Sequence, residues 1–280
     1  MSKPEIDVVL AGAGSNGAAE EGALSVIRRY FDIVRVGGAS AGSINAAAEA
    51  AGIPAAGLWK EFLTSGNLED YHMPLLKPMG ILFSSGRGMM AGKVIYNALR
   101  KNFGGLKMGD LKKPCRIVVG NLAKRKIEVI DSTIPAHKGY LVADVVRCSS
   151  AVPFVMDAWR IDPGSSTLYT DGGTGANSPA GLWDDNTTRP TLEIKFKNSD
   201  DPKPVKSLKD FVAAIFDIRQ DASEDAFASK KEHVYTIEIE INADSLDFSL
   251  DPKEVDRRRT AGIVAAQKFI NSHPKILVGG

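Results

Sequence analysis

Apolar residues gather along this chain into short runs separated by polar or glycine-rich turns, and the runs follow two different periods. From Ile6 to Ala11 the chain is apolar except at Asp7, the length of one buried strand. A glycine turn follows, and the spacing from about Ala18 to Tyr30 predicts a helix. Ile33 to Val36 reads as a second strand, Ser43 to Ala51 as an alanine-rich helix, and Ala55 to Leu63 as a helix with Trp59 and Phe62 on its apolar face. Two strand-helix units so close together imply a parallel sheet. The expected fold is therefore α/β with a parallel sheet.

Between Tyr71 and Met90 the periodicity fails, because proline and glycine interrupt the apolar residues. Such a loop reads either as a lid or lipid-facing flap beside an active site, or as a segment packed across the core. Beyond it a helix is expected near Ala91 to Phe103. Strands are expected around Arg116 to Gly120, Ile127 to Ile130, Trp159 to Ile161, Thr167 to Tyr169, Thr191 to Ile194 and Val234 to Ile241. The last alternates apolar and acidic residues, as a half-exposed strand does. A polar loop runs from Asn198 to Pro204, and Pro252 to Ile270 forms a closing helix. No repeat or linker divides the chain, so residues 1–280 read as a single domain.

A 280-residue chain with 44% hydrophobic and 25% charged residues can bury one large core, which argues against disorder. The acidic start shows no secretory signal, and no run reaches the length of a membrane span. The expectation is a cytoplasmic protein that meets membranes peripherally, with signal-independent export left open. Cys115 and Cys148 sit in apolar contexts and read as buried, reduced thiols. The four histidines, His72, His137, His233 and His273, are scattered, so no metal site is expected. Net charge is +1, yet Arg87 to Lys126 holds eleven basic residues and one acid, Asp110. Basic residues near an anionic bilayer contribute about 1 kcal/mol each, so this stretch either docks the protein on anionic phospholipid or forms an ordinary solvated surface.

Chemistry enters with Gly38-Ala39-Ser40-Ala41-Gly42, which lies between a strand and a helix. Lifting a serine hydroxyl above a sheet demands a sharp turn, and glycine on both flanks removes the collisions that side chains would cause. The earlier turn, Gly12-Ala13-Gly14-Ser15-Asn16-Gly17, has two readings. As G-x-G-x-x-G it matches a dinucleotide site, but the acid expected after the second strand is replaced by Val36-Gly37-Gly38. Beside the elbow, its outward N–H groups would instead make an oxyanion hole from Gly12, Ala13, Gly14 and Ser15. A candidate base is Asp171-Gly172-Gly173, at a strand end, although Asp-Gly is also a common turn.

Taken together, these motifs and the blocks Ser149 to Phe154 and Asn177-Ser178-Pro179 resemble the patatin-like phospholipases over residues 7–180. The resemblance implies a patatin-like domain of three layers (α/β/α) around a mainly parallel central sheet, which residues 190–280 complete, and a Ser-Asp dyad with Ser40 as nucleophile and Asp171 as base. Gly38, Ala41, Gly42, Gly172 and Gly173 would support them, without cofactor or metal. It implies hydrolysis of lipid acyl esters, of phospholipase A or lysophospholipase type. The partners implied are an anionic phospholipid surface and a possible protein or small-ligand activator, with no nucleic acid. Two positions depart from the family pattern: Ala13 replaces the middle glycine, and Asn16 replaces a Lys or Arg. Backbone donors survive both changes, whereas a cationic contact to the oxyanion region or to a phosphate does not follow. An acyltransferase or esterase on a soluble donor, a nucleotide-binding module, and a triad completed by His233 or His273 are the alternatives.

Overall fold

The apolar run after Pro4 forms β1 (Glu5–Leu10), and the helical segment behind it forms α1 (Gly17–Tyr30) after a 3₁₀ turn at Gly14–Asn16. In the same alternation come β2 (Asp32–Ala39), α2 (Ala41–Ala51) and α3 (Ala55–Thr64). The computed structural model describes residues 2–64, 88–185, 188–197, 228–230 and 232–274, with isolated positions 205, 214 and 276. Residues 65–87, which hold most of the expected apolar loop, and the polar loop from Asn198 to Pro204 lie outside the described residues. The chain continues through β3 (Gly88–Met90), α4 (Lys93–Phe103), β4 (Cys115–Asn121), β5 (Lys126–Asp131), α5 (Val142–Ser149), β6 (Phe154–Met156) and β7 (Tyr169–Asp171). It closes with β8 (Thr191–Phe196), β9 (Val234–Ile239) and α6 (Pro252–Ser272).

The main sheet has the order β5-β4-β2-β1-β8-β9, with β7 added to β4. Strands β4, β2, β1, β8 and β9 are parallel, while β5 and β7 run antiparallel to β4. Period-two alternation sorts the core onto two faces. Val8, Leu10, Val36, Ile117 and Val119 join the large core with the helices. Val9, Ala39 and Val118 point the other way, against Ala176, Leu182 and Trp183. This is the α/β architecture expected, a mixed, mostly parallel sheet flanked by helical segments.

One local expectation is corrected. Trp159 makes only an isolated bridge to Tyr169, and the strand forms instead at β6, which pairs with β3 in a second small sheet. Val142–Ser149, to which the sequence reading assigns no element, is a helix with every residue buried, Asp144 and Arg147 included. Cys115 and Cys148 are buried free thiols, and burial pushes both thiol pKa values up.

Helices α1 and α6 approach closely because of two glycines. A Cβ on Gly262 would lie 1.7 Å from the Ala19 carbonyl oxygen, and one on Gly22 would lie 2.0 Å from that of Arg259. Gly262→Ala should therefore cost about 1–3 kcal/mol, read as a lower urea midpoint. Gly57, exposed within α3 with nothing near its absent side chain, makes the opposite case. Gly57→Ala should gain about 0.5–1 kcal/mol.

Candidate active site

Ser40 ends β2 and caps α2 with φ 52° and ψ −126°, a conformation costing about 1–3 kcal/mol for a residue with a side chain. Its neighbours hold it there. The Ser40 N–H donates to Ser149 Oγ at 3.0 Å, and Ser149 Oγ donates to the Val118 carbonyl at 2.7 Å. The Ser40 carbonyl accepts from the Ser43 N–H at 3.0 Å, Ser43 Oγ at 2.6 Å and Ser150 Oγ at 3.3 Å. Both flanking glycines are required by close approach. A Cβ on Gly42 would fall 2.3 Å from the Leu10 carbonyl oxygen, and one on Gly38 would fall 2.6 Å from the Gly42 backbone.

Asp171 arrives along the same edge of β4 from its other end. Strand β2 pairs with Cys115 to Val118, and β7 takes the next places, Val119 to Asn121, in the opposite direction. The carboxyl ends of β2 and β7 thus meet, and Ser40 Oγ donates to Asp171 Oδ2 at 2.6 Å. Asp171 Oδ1 accepts from the Gly173 N–H at 2.6 Å. Asp171 is 1% exposed. Desolvation raises its pKa to about 7, against the lowering effect of the bonds from Ser40, Gly173 and Thr174.

The glycine turn packs directly on the serine, since a Cβ on Gly12 would be 3.3 Å from Ser40 Cβ and 2.1 Å from Asn177 Oδ1. Two of its N–H groups are committed: Gly12 donates to the Asn177 carbonyl and Ser15 to that of Ser245, both at 2.8 Å. Among the described residues no partner is recorded for the N–H groups of Ala13 and Gly14. The glycines themselves are accounted for by protein packing. Besides the contact at Gly12, a Cβ on Gly14 would meet the Ser245 carbonyl oxygen at 2.1 Å, and one on Gly17 would meet Trp59 at 2.1 Å. That leaves no demand for a pyrophosphate to explain them.

The described histidines lie elsewhere. His233 precedes β9, His273 stacks on Phe269 at the end of α6, and His137 accepts from the Asp131 N–H. Among the described residues there is no group of His, Cys, Asp or Glu fit to hold a metal ion, and no helix long and apolar enough to cross a membrane. The basic run is divided between the two ends of the sheet. Lys113 binds Glu49 at 2.8 Å, and Arg116 binds Asp131 at 2.7 Å with its guanidinium over Trp183, all at the end remote from Ser40. Lys124, Arg125 and Lys126 sit instead on the exposed β4–β5 hairpin, at the Ser40 end, beside Leu122, which is 47% exposed.

Sequence reasoning missed Ser43 and Arg258. A serine three places after Ser40 is a local cap signal of the kind that turns carry. Arg258, which bonds to Ser15 and Asn16 from α6, has no such signal.

Fold and site together have the form of a hydrolytic α/β centre built on a strand-to-helix elbow. The family model for patatin-like phospholipases matches residues 8–182, and the chain belongs to that family of lipid hydrolases. Among solved structures it resembles VipD from Legionella pneumophila, with a TM-score of 0.56 and 17% identity over 96% of this chain and 67% of that one. The ExoU–SpcU complex of Pseudomonas aeruginosa also matches, with a TM-score of 0.49 and 16% identity over 99% of this chain and 53% of the other. At these identities the likeness to VipD describes the fold. The curated proteins contain no match.

Because the folded protein binds the Asp171 proton more tightly than the unfolded chain, stability should fall as pH rises from about 4 to about 7. The loss amounts to at most about 4 kcal/mol. Urea midpoints across that window should show the slope in wild type, and a flatter profile in Asp171→Asn.

Proposed function

We propose that the protein is a lipid acyl hydrolase of phospholipase A or lysophospholipase type, working through a Ser40 acyl-enzyme with Asp171 as its base. The observation that carries this reading is the 2.6 Å bond from Ser40 Oγ to a carboxylate that is buried beside it. With a pKa of about 7, Asp171 is largely unprotonated just above neutrality and basic enough to take the serine proton. Ser40 Oγ bonds to the ester carbonyl carbon as its proton passes to Asp171, and the carbonyl oxygen becomes an oxyanion facing the N–H groups of Ala13 and Gly14. Collapse expels the alcohol, which takes the proton from Asp171. Water then gives a proton to Asp171 while its oxygen attacks the acyl carbon, and that proton returns to Ser40 as the fatty acid leaves.

Fatty-acid release from mixed phospholipid vesicles, with and without cell extract, tests the reading. Ser40→Ala and Asp171→Asn, both folded, should each lose about 10⁴-fold in kcat. Equal release from all three proteins, or none from wild type even with extract, would remove it. The kcat/KM of wild type should rise with pH to a plateau, with a midpoint near 7.

The lipid surface is expected to meet the end of the sheet that carries Ser40, where Leu122, Lys124, Arg125 and Lys126 are exposed. Reversing Arg125 and Lys126 to glutamate should weaken binding to anionic vesicles by about 1 kcal/mol for each cation removed. Lys112→Glu, at the remote end, serves as the control. Equal weakening by the control would withdraw the hairpin from this role.

A further inference from the structure

Arg258 is 2% exposed, and its position on α6 sets it against the glycine turn. Its Nη1 donates to Ser15 Oγ at 2.7 Å, to Asn16 Oδ1 at 2.9 Å and to the Asp244 carbonyl at 3.4 Å. Its Nε donates to Glu254 Oε1 at 2.9 Å. Glu254 also takes Nε and Nη2 of Arg257 at 2.7 and 2.8 Å. One carboxylate is therefore shared by two guanidinium groups, so Arg258 has no carboxylate to itself among these contacts. An arginine stays charged in such a setting, and its field is little screened where water is excluded.

Asn16 stands where the family pattern has a Lys or Arg, and its side-chain oxygen accepts from an arginine 242 positions further on. We infer that Arg258 replaces that cation from another part of the chain. It is a positioning residue that holds the turn through Ser15 and Asn16, so that the Ala13 and Gly14 N–H groups meet the oxyanion, and adds positive potential where that charge develops. The inference rests on the Ser40 acyl-enzyme reading. It assigns a functional part to α6, which lies beyond the residues matched by the family model.

The experiment is capture of Ser40 by a neutral fluorophosphonate, which forms a tetrahedral phosphonyl adduct on Oγ with loss of fluoride, alongside kcat and KM for an uncharged short-chain ester. Arg258→Met leaves Glu254 paired with Arg257 and Ser15 Oγ within reach of the Asp244 and Ser245 carbonyls, so the fold has support without it. Its capture rate and kcat should drop at least tenfold with KM little changed. Arg258→Lys, which keeps the charge but loses the fork, should fall between. Asn16→Arg added to Arg258→Met should recover part of the loss, which a purely structural role would not allow. Capture within twofold of wild type in folded Arg258→Met would overturn the inference, as would a loss that follows the melting temperature and that Asn16→Arg leaves unchanged. Absence of Ser40 capture in wild type would instead overturn the acyl-enzyme reading, and this inference with it.

Discussion

Ser40 and Asp171 are 131 positions apart and meet because β4 lends one hydrogen-bonding edge to two strands. Strand β5 fills the other edge from Arg116 to Asn121, so β2 and β7 must share what remains. One arrives parallel and the other antiparallel, which turns their carboxyl ends toward each other between Val118 and Val119. Both chains then have to leave β4 within a few ångströms. Side chains would block that exit: a Cβ on Gly172 would be 2.1 Å from the Val118 carbonyl oxygen, as tight as the approach of Gly42 to Leu10 on the other side. The Val118 carbonyl also takes the Ser149 hydroxyl that fixes the Ser40 N–H. Two separate pieces of the site are thus referred to one peptide group of one strand.

That geometry has an electrostatic consequence. Bringing Asp171 to the strand junction removes it from water, and desolvation raises its pKa. The bonds from Ser40 and the Gly173 N–H pull in the other direction and leave the carboxyl near neutrality, where imidazole ordinarily titrates. Burial of a carboxylate can in this way supply the basicity for which many serine sites use histidine. The strained backbone of Ser40 and the desolvated acid both oppose folding; Ser40 is held by contacts from Ser43, Ser149 and Ser150, and Asp171 by the Gly173 N–H and by its own N–H on the Ala151 carbonyl.

The elbow and the strands around it were legible because each depends on local rules. Glycine at positions 38 and 42 answers a steric demand of the turn, and β1 and β2 are short apolar runs bounded by turn signals. Helix α5 was not legible. Val142, Val145 and Val146 suit a strand by propensity, and eight residues are too few for a helical period to outweigh them. The strand expected at Trp159 does not form for a related reason: Trp-Arg-Ile alternates as a strand does, but Trp159 makes only one bridge, with the Arg147 guanidinium over its ring. The count of basic residues from Arg87 to Lys126 does not tell which of them sit together, since β4 carries neighbours in sequence to opposite ends of the sheet. Lys113 and Lys126 flank the same pair of strands, yet only Lys126 shares an end with Ser40.

Arg258 shows a different limit. Nothing in its local sequence separates it from Arg257 and Arg259, its neighbours on a charged helix. Arg257 faces Glu254 and solvent, and Arg259 binds Glu21, while the turn of the helix brings Arg258 inward to Ser15 and Asn16. The approach is set by packing, because Gly22 and Gly262 let α6 lie almost on the backbone of α1. A motif read by itself therefore understates the site. Asn16 looks like the loss of a cation until the helix that follows β9 is in place, and the same two glycines that close the core also bring a guanidinium back to the turn.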